Sequence, residues 1–273
     1  WQASATVGEI EAGTTTNAAY TGLSGEFVPA DMNGTSGGTY TTTVSFAEDE
    51  WTYTAPTGFV ALSAANLPDP TITDPGEVFN AVAYTGDGTA VGSGGNSITG
   101  VGFQSDFTWI KNRDQADSHM LFDVLRGATK VLHSNGTAVE TTESETLTSF
   151  DSDGFTLGGD VEVNTNTENY ISWNWKAGGA GVGNTAGTTS STVSVNHDAG
   201  FSIVGYTGTG SAGTVGHGQS GALELLIVKS TSNTGNWPAY HDAIGGTGQV
   251  YLNSSAAQAT SSTYWNNTAP SSE

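Results

Sequence analysis

One stretch of this chain occurs twice, and that duplication limits what the chain can fold into more than any other feature. Phe79-Asn80-Ala81-Val82-Ala83-Tyr84-Thr85-Gly86-Asp87-Gly88 returns as Phe201-Ser202-Ile203-Val204-Gly205-Tyr206-Thr207-Gly208-Thr209-Gly210, 122 residues later (206 − 84). The parts that follow keep their order. Trp109-Ile110-Lys111 is answered by Ile227-Val228-Lys229, Phe122-Asp123 by His241-Asp242, Gly127 by Gly246 and Leu132 by Leu252. A period this long describes a domain-sized module and not a solenoid turn. The first copy continues through Phe150-Asp151-Ser152-Asp153-Gly154-Phe155 to Ile171-Ser172-Trp173-Asn174-Trp175, whereas the second reaches Glu273 before either feature. With Trp1 in place of an initiating Met, the expectation is a segment of a longer protein whose second copy is cut short.

The residues of the module favour strands. Thr, Val, Tyr, Phe and Trp suit a pleated, half-buried surface, and abundant Gly and Asn supply the positive φ angles of tight hairpins. Phe107, Trp109 and Lys111 share one face of a strand, as do Ile171, Trp173 and Trp175, whose indoles are expected to fill the core. Residues 118–126 could form a short helix, but a hairpin turning at Arg126-Gly127 and returning over 129–133 agrees better with its surroundings. The 7 Trp, 9 Tyr and 10 Phe set in these patterns argue against disorder in so Gly-rich a chain. The fold class expected is all-β, in double-sheet sandwich or jelly-roll modules.

Charge excludes partners. Only 6 Lys and Arg stand against a net charge of −21, so no cationic face exists for nucleic acid or an anionic membrane surface. The absence of cysteine removes disulfides and thiolate metal sites and points to a microbial or viral source. No run approaches the roughly 20 apolar residues of a membrane span.

Along the chain, residues 1–66 form one unit, with strands at 39–46 and 51–53 and a turn at Asn33-Gly34. Residues 67–76, carrying Pro68, Pro70 and Pro75, read as an extended linker. The first module spans 77–178, a Gly, Ser and Thr-rich connector 179–198, and the second copy 199–273.

At this level of detail the motifs resemble a known family. Phe107-Thr108-Trp109-Ile110-Lys111-Asn112-Arg113, Ser118-His119 with Leu121-Phe122-Asp123, Arg126-Gly127-Ala128, residues 147–155 and 170–176 look like a repeated concanavalin A-like module of large structural proteins in marine tailed bacteriophages. Tyr53-Thr54-Ala55-Pro56-Thr57-Gly58-Phe59-Val60-Ala61-Leu62 with Ala65-Asn66-Leu67-Pro68 is similar to the C-terminal end of the SPRY-like domain that often precedes it. The resemblance implies a structural virion protein, fibre-like or appendage-like, on the particle surface. Its implied partners are other virion proteins, copies of itself in a homo-oligomer such as a trimer, and a host cell-surface glycan. A purely decorating virion protein is the alternative.

Three chemistries have candidate residues in this chain. Concanavalin A-like sandwiches include glycoside hydrolases, and Asp160 and Glu162, if alternate on a strand, would place two carboxylates on one face; Glu143 and Glu145 form a second pair in a polar loop. The family's third carboxylate is missing, with Asn164 and Thr165 in its place, so no catalytic residue is assigned. Asp151 and Asp153 before Gly154 could open a Ca²⁺ loop, Ca²⁺ being the one cofactor the chain suggests, although a plain Asp-Gly turn gives the same letters and is favoured. Arg113, Asp117 and His119 in the first copy and Trp237, Tyr240 and His241 in the second fall at loops or strand ends where a sugar could bind. The five histidines show no metal-ligand spacing.

Overall fold

A computed structural model describes residues 69–271. The chain divides between Pro70 and Thr71, and the account below concerns the second unit. The Asn33-Gly34 turn, the strands at 39–46 and 51–53 and the SPRY-like segment lie outside the described residues. Asp74 opens the described unit by accepting a hydrogen bond from the Gly76 amide at 2.8 Å, which caps a single 3₁₀ turn, Pro75–Glu77.

Among the described residues strands dominate, at 36% against 6% helix, in keeping with the all-β expectation. They are β1 (Phe79–Thr85), β2 (Asn96–Thr99), β3 (Phe107–Asn112), β4 (Met120–Asp123), β5 (Lys130–His133), β6 (Thr141–Thr142), β7 (Leu147–Asp151), β8 (Gly154–Leu157), β9 (Asn169–Trp175), β10 (Val182–Asn184), β11 (Ser191–Asn196), β12 (Phe201–Tyr206), β13 (Leu225–Ile227), β14 (Pro238–His241), β15 (Gly248–Tyr251) and β16 (Ala259–Thr260). A four-residue helix, α1 (Val161–Asn164), precedes β9.

In the first copy a six-stranded antiparallel sheet, ordered β1-β9-β3-β4-β5-β6, faces a three-stranded one, β2-β8-β7. Between them lies a continuous core that includes Ile98, Ile110, Phe122, Leu147, Phe155 and Tyr170. Tyr84 stacks on Tyr170 with centroids 5.2 Å apart and donates its hydroxyl to the Val163 carbonyl at 2.8 Å. The hairpin over β4 and β5 forms as the turn residues suggest. Leu121 pairs with Leu132, and Gly127 takes the positive φ of 92° that the turn requires.

The Trp residues of β9 behave differently from expectation. Ile171, Trp173 and Trp175 do share a face, but it is the outer one. Tyr170, Ser172 and Asn174 point inward and are fully buried, as is Thr108 on the neighbouring strand. Their donors find partners inside the core: Ser172 Oγ donates to the Val82 carbonyl at 3.2 Å, and Asn174 Nδ2 donates to the Asn80 carbonyl at 3.2 Å, while Asn174 Oδ1 is buried without a hydrogen-bond partner among the described residues. Trp175 and Phe107 instead meet Phe201 of the second copy, each with ring centroids 6.1 Å away. The outer aromatic face is thus a seam between the copies.

The segment read as a connector is itself structured, since β10 and β11 lie within it and pair with β12 in a three-stranded sheet. Strands β13 to β16 form a separate antiparallel meander. Its pairing repeats that of β3 to β6 at a single shift of 118 residues (225 − 107). Phe107↔Asp123 is matched by Leu225↔His241, Met120↔His133 by Pro238↔Tyr251, and Lys130↔Thr142 by Gly248↔Thr260. The sequence alignment that drifts by one or two residues is therefore corrected. Asp123 corresponds to His241, Gly127 to Gly245 with its φ of 66°, and Leu132 to Val250. Only the opening strand, β12 against β1, keeps the longer shift of 122.

Candidate functional site

The register places Arg113, Asp117 and His119 on the connection between β3 and β4, at one end of the larger sheet. Asn112 holds this loop. It is the last core-phase residue of β3, only 1% exposed, and its Nδ2 donates to Asp117 Oδ2 at 2.7 Å and to Glu168 Oε2 at 2.6 Å. Its Oδ1 accepts from the Asp114 and Gln115 amides at 2.9 and 3.2 Å, which shapes the turn. Lys111 closes the loop from the side by donating Nζ to the Asn112 and Gln115 carbonyls. Arg113, Asp114 and Gln115 are left exposed at the tip.

His119 sits at the other end of the loop. Its Nδ1 accepts from the Trp109 indole at 2.8 Å, and its amide donates to Asn135 Oδ1 at 3.1 Å. Burial, followed by the charge of Lys111, holds its pKa below the ordinary imidazole value. The ring is thereby kept neutral, as its role as an acceptor from Trp109 demands.

Acidic groups gather beneath the loop. Asp160 and Glu162 do not alternate along a strand, because Asp160 is the N-cap of α1. Its Oδ1 accepts from the Glu162 amide at 2.8 Å, a local bond that converts an apparently alternating Asp-Val-Glu-Val-Asn run into a helical turn. Glu162 accepts from the Ser118 amide at 3.3 Å and lies 3.5 Å from His133 Nε2. Burial raises the Asp160 pKa; the cap bond opposes this, while Glu162, Glu143 and Asp117 add to it by repulsion. Glu145, by contrast, accepts from the Gly159 and Val91 amides, and these hold its pKa low.

The second trio is scattered. The 118-residue register makes Trp237 the counterpart of His119, and it is buried at 5% exposure among Leu121, Leu132, Phe107 and Trp109 of the first copy. Its Nε1 donates to the His133 and Gly136 carbonyls, both at 3.1 Å. Tyr240 is 1% exposed and packs edge-on against Trp265 at 5.9 Å. His241 caps the following turn by accepting from the Ala243 amide at 3.1 Å. Neither Trp237 nor Tyr240 therefore has an open ring face for a sugar, and His241 has a local task. A buried aromatic at a loop end looks the same in sequence as an exposed one.

Asp151 ends β7 and pairs with Gly154, and Asp153 sits in the two-residue hairpin turn between β7 and β8. Their carboxylates serve different partners. Asp151 accepts from the Ser149 and Thr156 hydroxyls at 2.8 and 2.7 Å, and Asp153 from the Gly100 and Gly102 amides at 3.2 and 2.6 Å. Among the described residues no group of three His, Cys, Asp or Glu side chains is placed to hold a metal ion. No helix among them is long and apolar enough to cross a membrane.

Sequence reasoning passed over Asn112, Glu168, Tyr170 and His133. The signal for Asn112 was present, an amide side chain at an inward position of β3 immediately before an exposed Arg.

A model of the family described as a domain of unknown function, DUF7483, matches residues 74–273. The chain belongs to this family. The DUF7483 match spans both copies, so the family unit is larger than a single repeat. No curated protein and no solved structure matches the chain.

Proposed function

We propose that this DUF7483 chain is a structural segment of a tailed-bacteriophage virion appendage, built from tandem concanavalin A-like β modules. The observation that carries the reading is the repeated register together with the seam: the loop of the later meander is seated on the earlier one through Trp237, two backbone hydrogen bonds and a shared apolar cluster. Copies locked in series suit mechanical continuity. The resemblance to repeated modules of tailed-phage structural proteins supports a place on the particle surface, and a homo-oligomer, trimeric as in many fibres, would cover exposed sheet edges. Host-surface glycan contact would fall to the tip carrying Arg113, Asp114 and Gln115, with avidity from many weak copies.

The burial of Trp237 and Tyr240 favours a second reading, a decorating virion protein without a host ligand. A glycoside hydrolase has less support, since the carboxylate of Asp160 is engaged in capping α1. Host-surface polysaccharide arrays, probed with monomeric and artificially trimerised chain, test the proposal. Binding that requires the trimer and falls with Arg113→Ala supports adhesion; silence from both forms moves the assignment to the decorating role.

A further inference from the structure

His119 touches both supports of Trp237. The first runs through its ring: Nδ1 accepts from the Trp109 indole at 2.8 Å, and Trp109 packs with Phe107 against the cluster of Leu121, Leu132 and Trp237. The second runs through its backbone. The His119 amide donates to Asn135 Oδ1 at 3.1 Å and its carbonyl accepts from the Ser134 amide at 3.4 Å. Ser134 and Asn135 lie inside the turn whose end carbonyls, His133 and Gly136, hold the Trp237 indole N–H. The ring can keep this position in one charge state only. A neutral imidazole carries one N–H, and with Nδ1 accepting, that hydrogen is on Nε2. A second proton has only Nδ1 to occupy, where it would meet the Trp109 N–H head-on. Protonation and the Trp109 bond therefore exclude each other. Because the His119 backbone is held by Asn135 and Ser134, the conflict is relieved by moving one of the rings, and Trp109 lies edge-on to both His119, at 5.7 Å, and Trp173, at 6.2 Å.

We propose that His119 is a proton-operated latch on the seam: on gaining a proton at Nδ1 it gives up Trp109, the cluster that seats Trp237 opens, and the later meander is freed while the first sandwich stays folded. The ionisable groups on the elements packed here are Lys111 of β3, Asp117 of the same connection, Asp160 and Glu162 of the α1 turn, His133 of β5, Glu143 and, over the Trp237 ring, Lys229. The direction follows from linkage. Burial, then the charge of Lys111, holds the His119 pKa below its ordinary value in the closed seam, so a proton favours the open one. Closure is complete above 6.5 and weakens as pH falls toward the depressed value. This inference is independent of the virion reading.

Native-state hydrogen exchange of the full chain, corrected at each pH for intrinsic rates, reads the seam at two amides. These are Glu140, which donates to the Thr231 carbonyl, and Gly235, which donates to the Thr137 carbonyl. Their opening should increase as pH falls below 6.5, by up to about tenfold per pH unit, and level off below the depressed value. Amides bonded within the β2–β8 pair should stay protected throughout. His119→Gln, whose side-chain oxygen accepts from Trp109 without titrating, should flatten the response. His133→Gln, which removes the neighbouring imidazole beside Glu162, should leave it in place. Seam protection that does not change with pH, a response that survives His119→Gln or disappears with His133→Gln, or an equal loss of protection between β2 and β8 would overturn the proposal.

Discussion

The loops at 113–119 and 231–237 start from the same backbone and end in opposite situations. Each is closed by a lysine whose Nζ donates to the carbonyls one and four residues ahead, Asn112 and Gln115 for Lys111, Ser230 and Asn233 for Lys229. Each is shaped by a side-chain oxygen that accepts from the amide three residues on, Asn112 from Gln115 and Ser230 from Asn233. The difference lies at the last position. His119 turns back to Trp109 within its own module, while Trp237 crosses into the other module, supported by Glu140 N donating to the Thr231 carbonyl and Gly235 N to the Thr137 carbonyl, both at 2.9 Å. Duplication has kept the hydrogen-bond skeleton, and one aromatic side chain converts a free loop into a docked one.

Trp237→Ala should break that contrast most severely. Removing a nearly buried indole from the seam, with its two carbonyl partners, is expected to cost on the order of 3 kcal/mol in chemical denaturation. His119→Ala, at the matching position, should cost about 1 kcal/mol or less. Equal losses would mean that the docking of Trp237 does not anchor the second meander. Asn112→Ala comes next, at about 2 kcal/mol, because Asp117 and Glu168 lose a shared donor in a mostly buried setting; Ser230→Ala should change stability by less than about 0.5 kcal/mol.

Two titrations sharpen the same comparison. The His119 pKa is depressed in the folded state, so protons favour unfolding: its contribution is complete above the ordinary imidazole value of 6.5 and is lost as pH falls below it. Thermal midpoints measured across this window should fall more for the native chain than for His119→Gln, with a change in Trp109 emission. Asp160 has the opposite sign of shift. Its folded pKa is raised, so the cost of its charge is fully present at neutral pH and is relieved on acidification through the folded value. Asp160→Asn, which keeps a capping oxygen, should match or slightly exceed the native stability at neutral pH, and that advantage should vanish in acid. Asp160→Ala should lose about 1 kcal/mol through the missing cap.

Strand faces were legible in the sequence, because the alternation of Phe107, Trp109 and Lys111 or of Ile171, Trp173 and Trp175 has only one geometric reading. Which face would be interior was not. The rule that the larger apolar side chains point inward fails here because a second module supplies another apolar surface, leaving Thr108, Ser172 and Asn174 to the sandwich core. The helix at Asp160 was hidden by chance alternation, although Asp followed by Glu in the first turn is a capping signal. The sequence match between copies slipped by one residue at Asp123 because His241 replaces it as a cap, and two chemically different side chains performing one backbone task leave no letter in common.

The seam joins unlike surfaces, a loop of the later copy against the side of the earlier one. A contact of that kind has no twofold partner to saturate it. A polypeptide bearing further copies that docked by the same step would grow as a screw-related rod of constant girth, its reach set by the number of modules encoded.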